Sequence, residues 1–179
     1  MSKTKIKQIF SWHRIFALAA LAFLILLSFS GPIFAQAVTQ GYASDTPMQK
    51  GMLVQLVKAD TNKVELVSAE TIEQMHGVVV DANDAPVTLS NEGRKVFVAT
   101  AGKYDVLVSD QNGPISPGDY LTVSAVQGVG MKATNKELMV AGRALAGFDG
   151  KSGVIGSTEI KDSAGVTKKV NFGRINADI

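Results

Sequence analysis

The chain has 179 residues, 18 Lys and Arg against 16 Asp and Glu, and no cysteine. That length suits one domain and leaves no comfortable room for a second. Without cysteine, disulfide staples, cysteine zinc sites and thiol chemistry are all excluded.

Residues 1–14 carry Lys3, Lys5, Lys7 and Arg14 with no acidic residue, and residues 15–27 (IFALAALAFLILL) are an unbroken apolar run. Gly31-Pro32 then breaks the helix ahead of Ala35-Gln36-Ala37, so the order is basic, apolar, Ala-x-Ala, the pattern of an export signal. Residues 1–37 are therefore expected to be a signal peptide cleaved after Ala37, or else a signal anchor. If the leader is retained, residues 15–37 are the membrane contact. The basic flank holds the N-terminus inside under either reading, so the bulk of the chain is expected outside the cytoplasmic membrane: extracellular, on the cell surface, or anchored and facing outward.

Removing the leader takes away four basic residues and leaves 14 Lys and Arg against 16 Asp and Glu. The remaining charges are interspersed, which argues against nucleic acid as a partner.

Residues 38–50 (VTQGYASDTPMQK) read as a polar tether, and residues 51–179 as the β domain. Residues 52–57 (MLVQLV) and 63–67 (KVELV) predict a hairpin turned by Asp60-Thr61-Asn62. A single helical turn is expected over residues 71–74, and a buried strand over residues 77–80 (GVVV). Residues 81–84 (DAND) end that strand. Further strands follow at residues 87–89, 95–100 (KVFVAT) and 104–109 (YDVLVS), with a turn at Asn91-Glu92-Gly93. In residues 95–100, Val96 and Val98 share one face and Phe97 takes the other.

Residues 112–133 (NGPISPGDYLTVSAVQGVGMKA) hold the densest turn punctuation. Gly113, Pro114, Pro117, Gly118 and Asp119 frame the strand 120–123, Gly128 and Gly130 turn the chain again, and an answering strand, 139–146 (MVAGRALA), contains Gly142. These eight are read as structural turn residues. Strands at 154–160 and 166–179 complete the chain; the last is expected to pair within the barrel or with another copy.

Short strands at this spacing predict an all-β fold: a single compact barrel or sandwich of short strands, preceded by an N-terminal hydrophobic export helix. An internally duplicated β unit is one version of that fold. Lys50-Gly51-Met52-Leu53-Val54 and His76-Gly77-Val78-Val79 are answered by Pro117-Gly118-Asp119-Tyr120-Leu121 and Ala141-Gly142-Arg143-Ala144, and two such units could be related by a pseudo-two-fold axis.

Candidate chemistry is thin. His76 is the only histidine beyond the leader, so a histidine metal site lacks its second ligand, and no nucleophile-elbow pattern lies near it. Asp81, Asn83 and Glu92 fall at positions one, three and twelve of a calcium loop, but Pro86 occupies the position that needs glycine. Gln127-Gly128-Val129-Gly130 lacks the third glycine and the helix of a phosphate cradle. No residue is accordingly read as catalytic, cofactor-binding or metal-binding, and the chain is expected not to be an enzyme.

Beyond the residues themselves, the series NGPI, PGD with Leu121, Ser124, GVGMKA and VAGRALA, with the upstream GVVV and KVFV strands, resembles a known module. This is the β-rich module of phage tail-fibre and neck-appendage tips and of many bacterial surface proteins, grouped with the peptidase G2 autoproteolytic domain. The resemblance covers about residues 75–155 and implies trimeric β structures that cut themselves beside an asparagine. The chain contains no Asn-Ser dipeptide, and no catalytic residue is carried over. A weaker similarity is to β-clip modules of exported pilus and flagellar assembly proteins, which open a strand with Pro-Gly-Asp, here Pro117-Gly118-Asp119.

The expected function is that of an exported, non-catalytic β module of the envelope or surface with a structural, assembly or adhesion role. Its expected partner is itself, as a homo-oligomer with a trimer among the forms implied, or other envelope proteins. An autoproteolytic peptidase-like domain is the alternative, and a carbohydrate-binding or assembly β-clip module the second.

Overall fold

The computed structural model describes residues 38–84, 87–89, 96–161 and 165–179. The export leader and its helix, the turn at Asn91-Glu92-Gly93, and Glu92 of the calcium reading lie outside the described residues.

Twelve strands and one 3-10 turn make up the described chain. The first six are β1 (Val38–Tyr42), β2 (Leu53–Val57), β3 (Asp60–Leu66), β4 (Met75–Val80), β5 (Val87–Leu89) and β6 (Val96–Ala99), with the 3-10 turn at Ala69–Gln74. They form one sheet in the order β3-β2-β4-β6-β1-β5. A single parallel bridge between Ala43 and Lys63 brings the end of β1 back to β3.

The last six are β7 (Lys103–Ser109), β8 (Tyr120–Val123), β9 (Gly130–Lys132), β10 (Gly142–Ala144), β11 (Gly156–Lys161) and β12 (Thr167–Asp178). Here β10-β8-β9-β7-β12 closes on itself through a β10–β12 pairing, giving a five-stranded barrel with β11 attached to β12. Closure removes the free edges that such short strands would otherwise expose. The fold is thus all-β, as expected, but holds two strand systems rather than one barrel or sandwich.

The pairing schemes of the two systems correspond strand for strand, with β2, β3, β4, β6 and β1 taking the places of β8, β9, β10, β12 and β7. Gly51 N–H donates to Val79 C=O and Val79 N–H to Met52 C=O; Gly118 N–H donates to Ala144 C=O and Ala144 N–H to Asp119 C=O, all at 2.8 Å. The two stretches paired in the sequence reading therefore sit at matching positions.

Period-two alternation explains the interior. Tyr42, Val54, Val64, Val79 and Val98 form one cluster inside the first system. The opposite faces of β2, β4 and β6 (Leu53, Val78, Val80 and Ala99) join a larger cluster with Tyr104, Val106, Val108, Leu121 and Val123 of the second. Val96 packs on the first cluster and Phe97 on the second, the alternation read from residues 95–100.

Three expectations are corrected. Residues 38–50 are not wholly a tether, because β1 lies between β5 and β6 with Thr39 and Tyr42 buried. The hairpin turns at Lys58-Ala59 rather than at residues 60–62, because Val57 pairs with Asp60 after a register shift at Leu56/Val57. The answering strand is only Gly142–Ala144, since Met139 and Val140 are exposed and unpaired in the sheet. The final strand is flanked on both sides, by β7 and by β10 and β11, so it pairs within the barrel.

Candidate functional site

Each chemistry-bearing side chain singled out in the sequence can now be placed. His76, at the start of β4, is half-buried, and its Nε2 lies 2.7 Å from the Tyr42 hydroxyl with the two rings edge to face. Burial pushes the imidazole below its ordinary value and so favours the neutral ring. Among the described residues its hydrogen-bond partner is Tyr42, and no serine or carboxylate is bonded to it.

In the segment 81–84, Asp84 N–H donates to Asp81 C=O and Asp81 N–H to the Asp84 carboxylate, at 3.0 and 2.9 Å. The Lys50 ammonium sits 3.0 Å from the Asp81 carboxylate and 2.9 Å from that of Asp84. A lysine already occupies the place a cation would take, and the bonds to Asp84 and then Asp81 raise its pKa. Among the described residues no group of three His, Asp or Glu side chains is disposed to hold a metal ion.

The loop around Gly128 is no anion cradle. Its Gly128 N–H is spent on Val67 C=O at 2.8 Å, and its carbonyl accepts from Leu53 N–H at 2.9 Å. Gly113, Gly118 and Gly128 have φ of 90°, 94° and 72°, the left-handed region that favours glycine in turns. Gly130 and Gly142 instead lie in strands. Asp119 accepts from Ser116 N–H at 2.8 Å and pairs with Lys132 Nζ at 2.8 Å. That lysine bond, with the backbone bond behind it, holds the carboxyl below its usual range. Pro114 and Pro117 are exposed on either side of the buried Ile115, Pro114 just after the turn closed at Gly113 and Pro117 within the turn from Ser116 to Asp119.

Sequence reasoning passed over two features. One is a cleft of about 320 Å³ lined by Gln55, Glu65, Ser68, Thr71 and Gln127, in which Gln55 Nε2 donates to Glu65 Oε1 at 2.8 Å. It brings amides and hydroxyls together with one carboxylate, that of Glu65, which is held by the Gln55 amide. The other is the outward face of β8 and β10. Tyr120 is 57% exposed, Arg143 lies 5.8 Å from its ring centroid, and Leu145 beside them is 41% exposed. All the exposed large apolar side chains among the described residues fall between Tyr120 and Val166, within the second strand system.

An aromatic platform for sugars does not form. Tyr42, Tyr104 and Phe148 are buried, Phe97 and Phe172 are half-buried, and Tyr120 alone among the described aromatics is exposed. The arrangement offers shape, turns and one mixed apolar and cationic face. In comparisons with protein-family models, with curated proteins and with solved structures, nothing matches the chain.

Proposed function

We propose that the chain is an exported, non-catalytic β module of the cell envelope or surface, serving in assembly or adhesion. The observation that supports this most is how the polar side chains are used. The carboxylates of Asp84, Asp110, Asp119 and Asp149 accept backbone N–H groups in turns or at strand ends, that of Asp81 is held by Lys50, and His76 is engaged by Tyr42. Side chains committed to shaping turns are not free to converge on a substrate. The basic, apolar, Ala-x-Ala leader supplies the exported location.

We further infer that the body derives from two copies of one β unit. Support comes from the matching pair orders and from the equivalent bonds at Gly51 and Gly118. Function then resides in the surface that differs between the two units.

Fractionation of cells expressing the full chain, with intact mass of the product, tests the reading. The expected result is a species starting at Val38, or an uncleaved one, outside the cytoplasm and stable over days. A cytoplasmic location, or a defined internal cut that persists with protease inhibitors present, would sink it.

A further inference from the structure

The contacts between the two units are not reciprocal, and this leaves a vacancy. Equivalent positions follow from the registers. Leu53 and Tyr120 each accept a backbone bond from the strand end opposite, from Val67 N–H at 3.2 Å and Ala133 N–H at 2.8 Å. Leu56 pairs with Val64, and Val123 with Gly130, so two residues back Asn62 matches Gly128. Val79 pairs with Val98 and Gln40 with Val98; Ala144 pairs with Ala177 and Tyr104 with Ala177, so Ala43 matches Leu107.

In the first unit a seam is closed by Ala43 N–H donating to Asn62 C=O at 3.0 Å. In the second unit the corresponding pair is split, and the start of β2 enters between its members. Leu107 N–H donates to Gly51 C=O at 2.8 Å, Leu53 N–H donates to Gly128 C=O at 2.9 Å, and Gly128 N–H reaches Val67 C=O. The seam of the second unit thereby covers the outer face of the first, burying Leu53, Val78 and Val80 to between 0% and 4% exposure.

The same outer face on the second unit is bare among the described residues. Leu53 is matched by Tyr120, Val78 by Arg143 and Val80 by Leu145, all three exposed. Tyr120 N–H and Ala133 C=O, which match the groups that grip Gly128, meet no such loop. A two-fold relation between the units would have placed the Asn62 turn there; instead the relation is head to tail, which propagates unless it closes. What covers this kind of face inside the chain is the seam of a like unit, and the chain has one more seam, at Ala43 and Asn62.

We propose that the face around Gly118, Tyr120 and Leu145 receives the Ala43–Asn62 seam of a second copy, so that copies associate head to tail. Tyr120 N–H then donates to Asn62 C=O of the second copy, as Leu53 N–H does to Gly128. Ala43 N–H, released from its own Asn62, turns to Gly118 C=O, which now accepts from Arg143 Nε at 3.0 Å. Two internal bonds, Ala43 N–H to Asn62 C=O and Arg143 Nε to Gly118 C=O, give way to two between copies, so the drive is that Tyr120 and Leu145 leave water. The inference rests on the reading of the chain as an assembly module, whose partner it names.

The absence of native cysteine makes cross-linking decisive. The full chain carrying Tyr120→Cys with Asn62→Cys, both at exposed positions, is treated in cells with a short membrane-permeant bis-maleimide. The expected result is a ladder of dimers, trimers and larger species. It disappears in either single variant, when Leu145→Asp is added, and when Val166→Cys replaces Tyr120→Cys. A single monomer band from the double variant, or a dimer as abundant from Tyr120→Cys alone, overturns the proposal. Because the reagent reaches both sides of the membrane, a chain that fails to be exported still gives an answer here.

Discussion

Gly77 and Gly142 occupy matching places one residue before β4 and β10 meet β6 and β12. A Cβ on Gly142 would lie 2.5 Å from Asp178 C=O, and one on Gly77 would strike Ala99 C=O closer still. Both obstacles are backbone, so neither can swing aside. Gly77→Ala and Gly142→Ala are each expected to lower stability by about 1–3 kcal/mol, the usual cost of overpacking, as read from urea midpoints. Gly153→Ala is the control, since a Cβ there meets nothing within 4 Å and only its left-handed φ of 69° is at issue. Equal losses at all three positions would show that backbone conformation, not close approach, explains the glycines.

His76 supplies the residue-scale dependence on pH. Burial lowers its folded pKa, so below the ordinary histidine value the unfolded chain binds more protons than the folded one. Its contribution is fully present above the unfolded pKa of about 6.5 and is lost as pH falls through that value toward the folded one. Denaturant midpoints of the parent and of His76→Gln are expected to converge as pH falls from 7.5 to 5. A constant gap between them would show that the imidazole does not titrate differently on folding.

At the scale of elements, β12 is the longest strand and ties the barrel together, and its join to β7 is clamped by one carboxylate. Asp110 accepts Asn171 N–H at 2.8 Å through Oδ1 and Asn171 Nδ2 at 3.1 Å through Oδ2, while Asn171 Nδ2 also reaches Gly150 C=O. Asp110→Ala leaves the half-buried Asn171 N–H without its acceptor and its side-chain amide with Gly150 C=O alone, and is expected to cost about 1–3 kcal/mol. Faster hydrogen exchange should appear at residues 168–172 before the rest of the sheet, and unchanged protection there would refute the clamp. Elements of this kind were readable where alternation was clean, as in β7, β8 and the Val96/Phe97/Val98 face. β1 escaped because VTQGY has polar letters at positions whose side chains point inward, and burial of Thr39 comes from neighbours far along the chain. The strand 139–146 was read too long for the converse reason: Met139 and Val140 are apolar yet exposed, and only partner register decides which apolar residues pair. Tyr120 was legible as a strand residue, but its importance depends on a comparison with Leu53 that needs three-dimensional registers.

Across the whole molecule, the shared cluster from Leu53 to Val108 makes the two units one cooperative body, although their pairing schemes are separate. Matching positions should therefore respond unequally to the same change. Leu53 is fully buried where the second unit covers it, and truncation to Ala is expected to cost about 2–5 kcal/mol with a single unfolding transition retained. Tyr120 takes the same place in the second unit but is 57% exposed, so Tyr120→Ala should stay within about 0.5 kcal/mol of the parent at protein concentrations too low for association. At higher concentration the parent alone should gain midpoint, because association stabilises only the folded form. Tyrosine fluorescence in urea, recorded at two protein concentrations, reads both effects. Similar losses at Leu53 and Tyr120 would mean that the outer face of the second unit is already covered within one copy, whereas a loss at Leu53 alone leaves that face to a second copy.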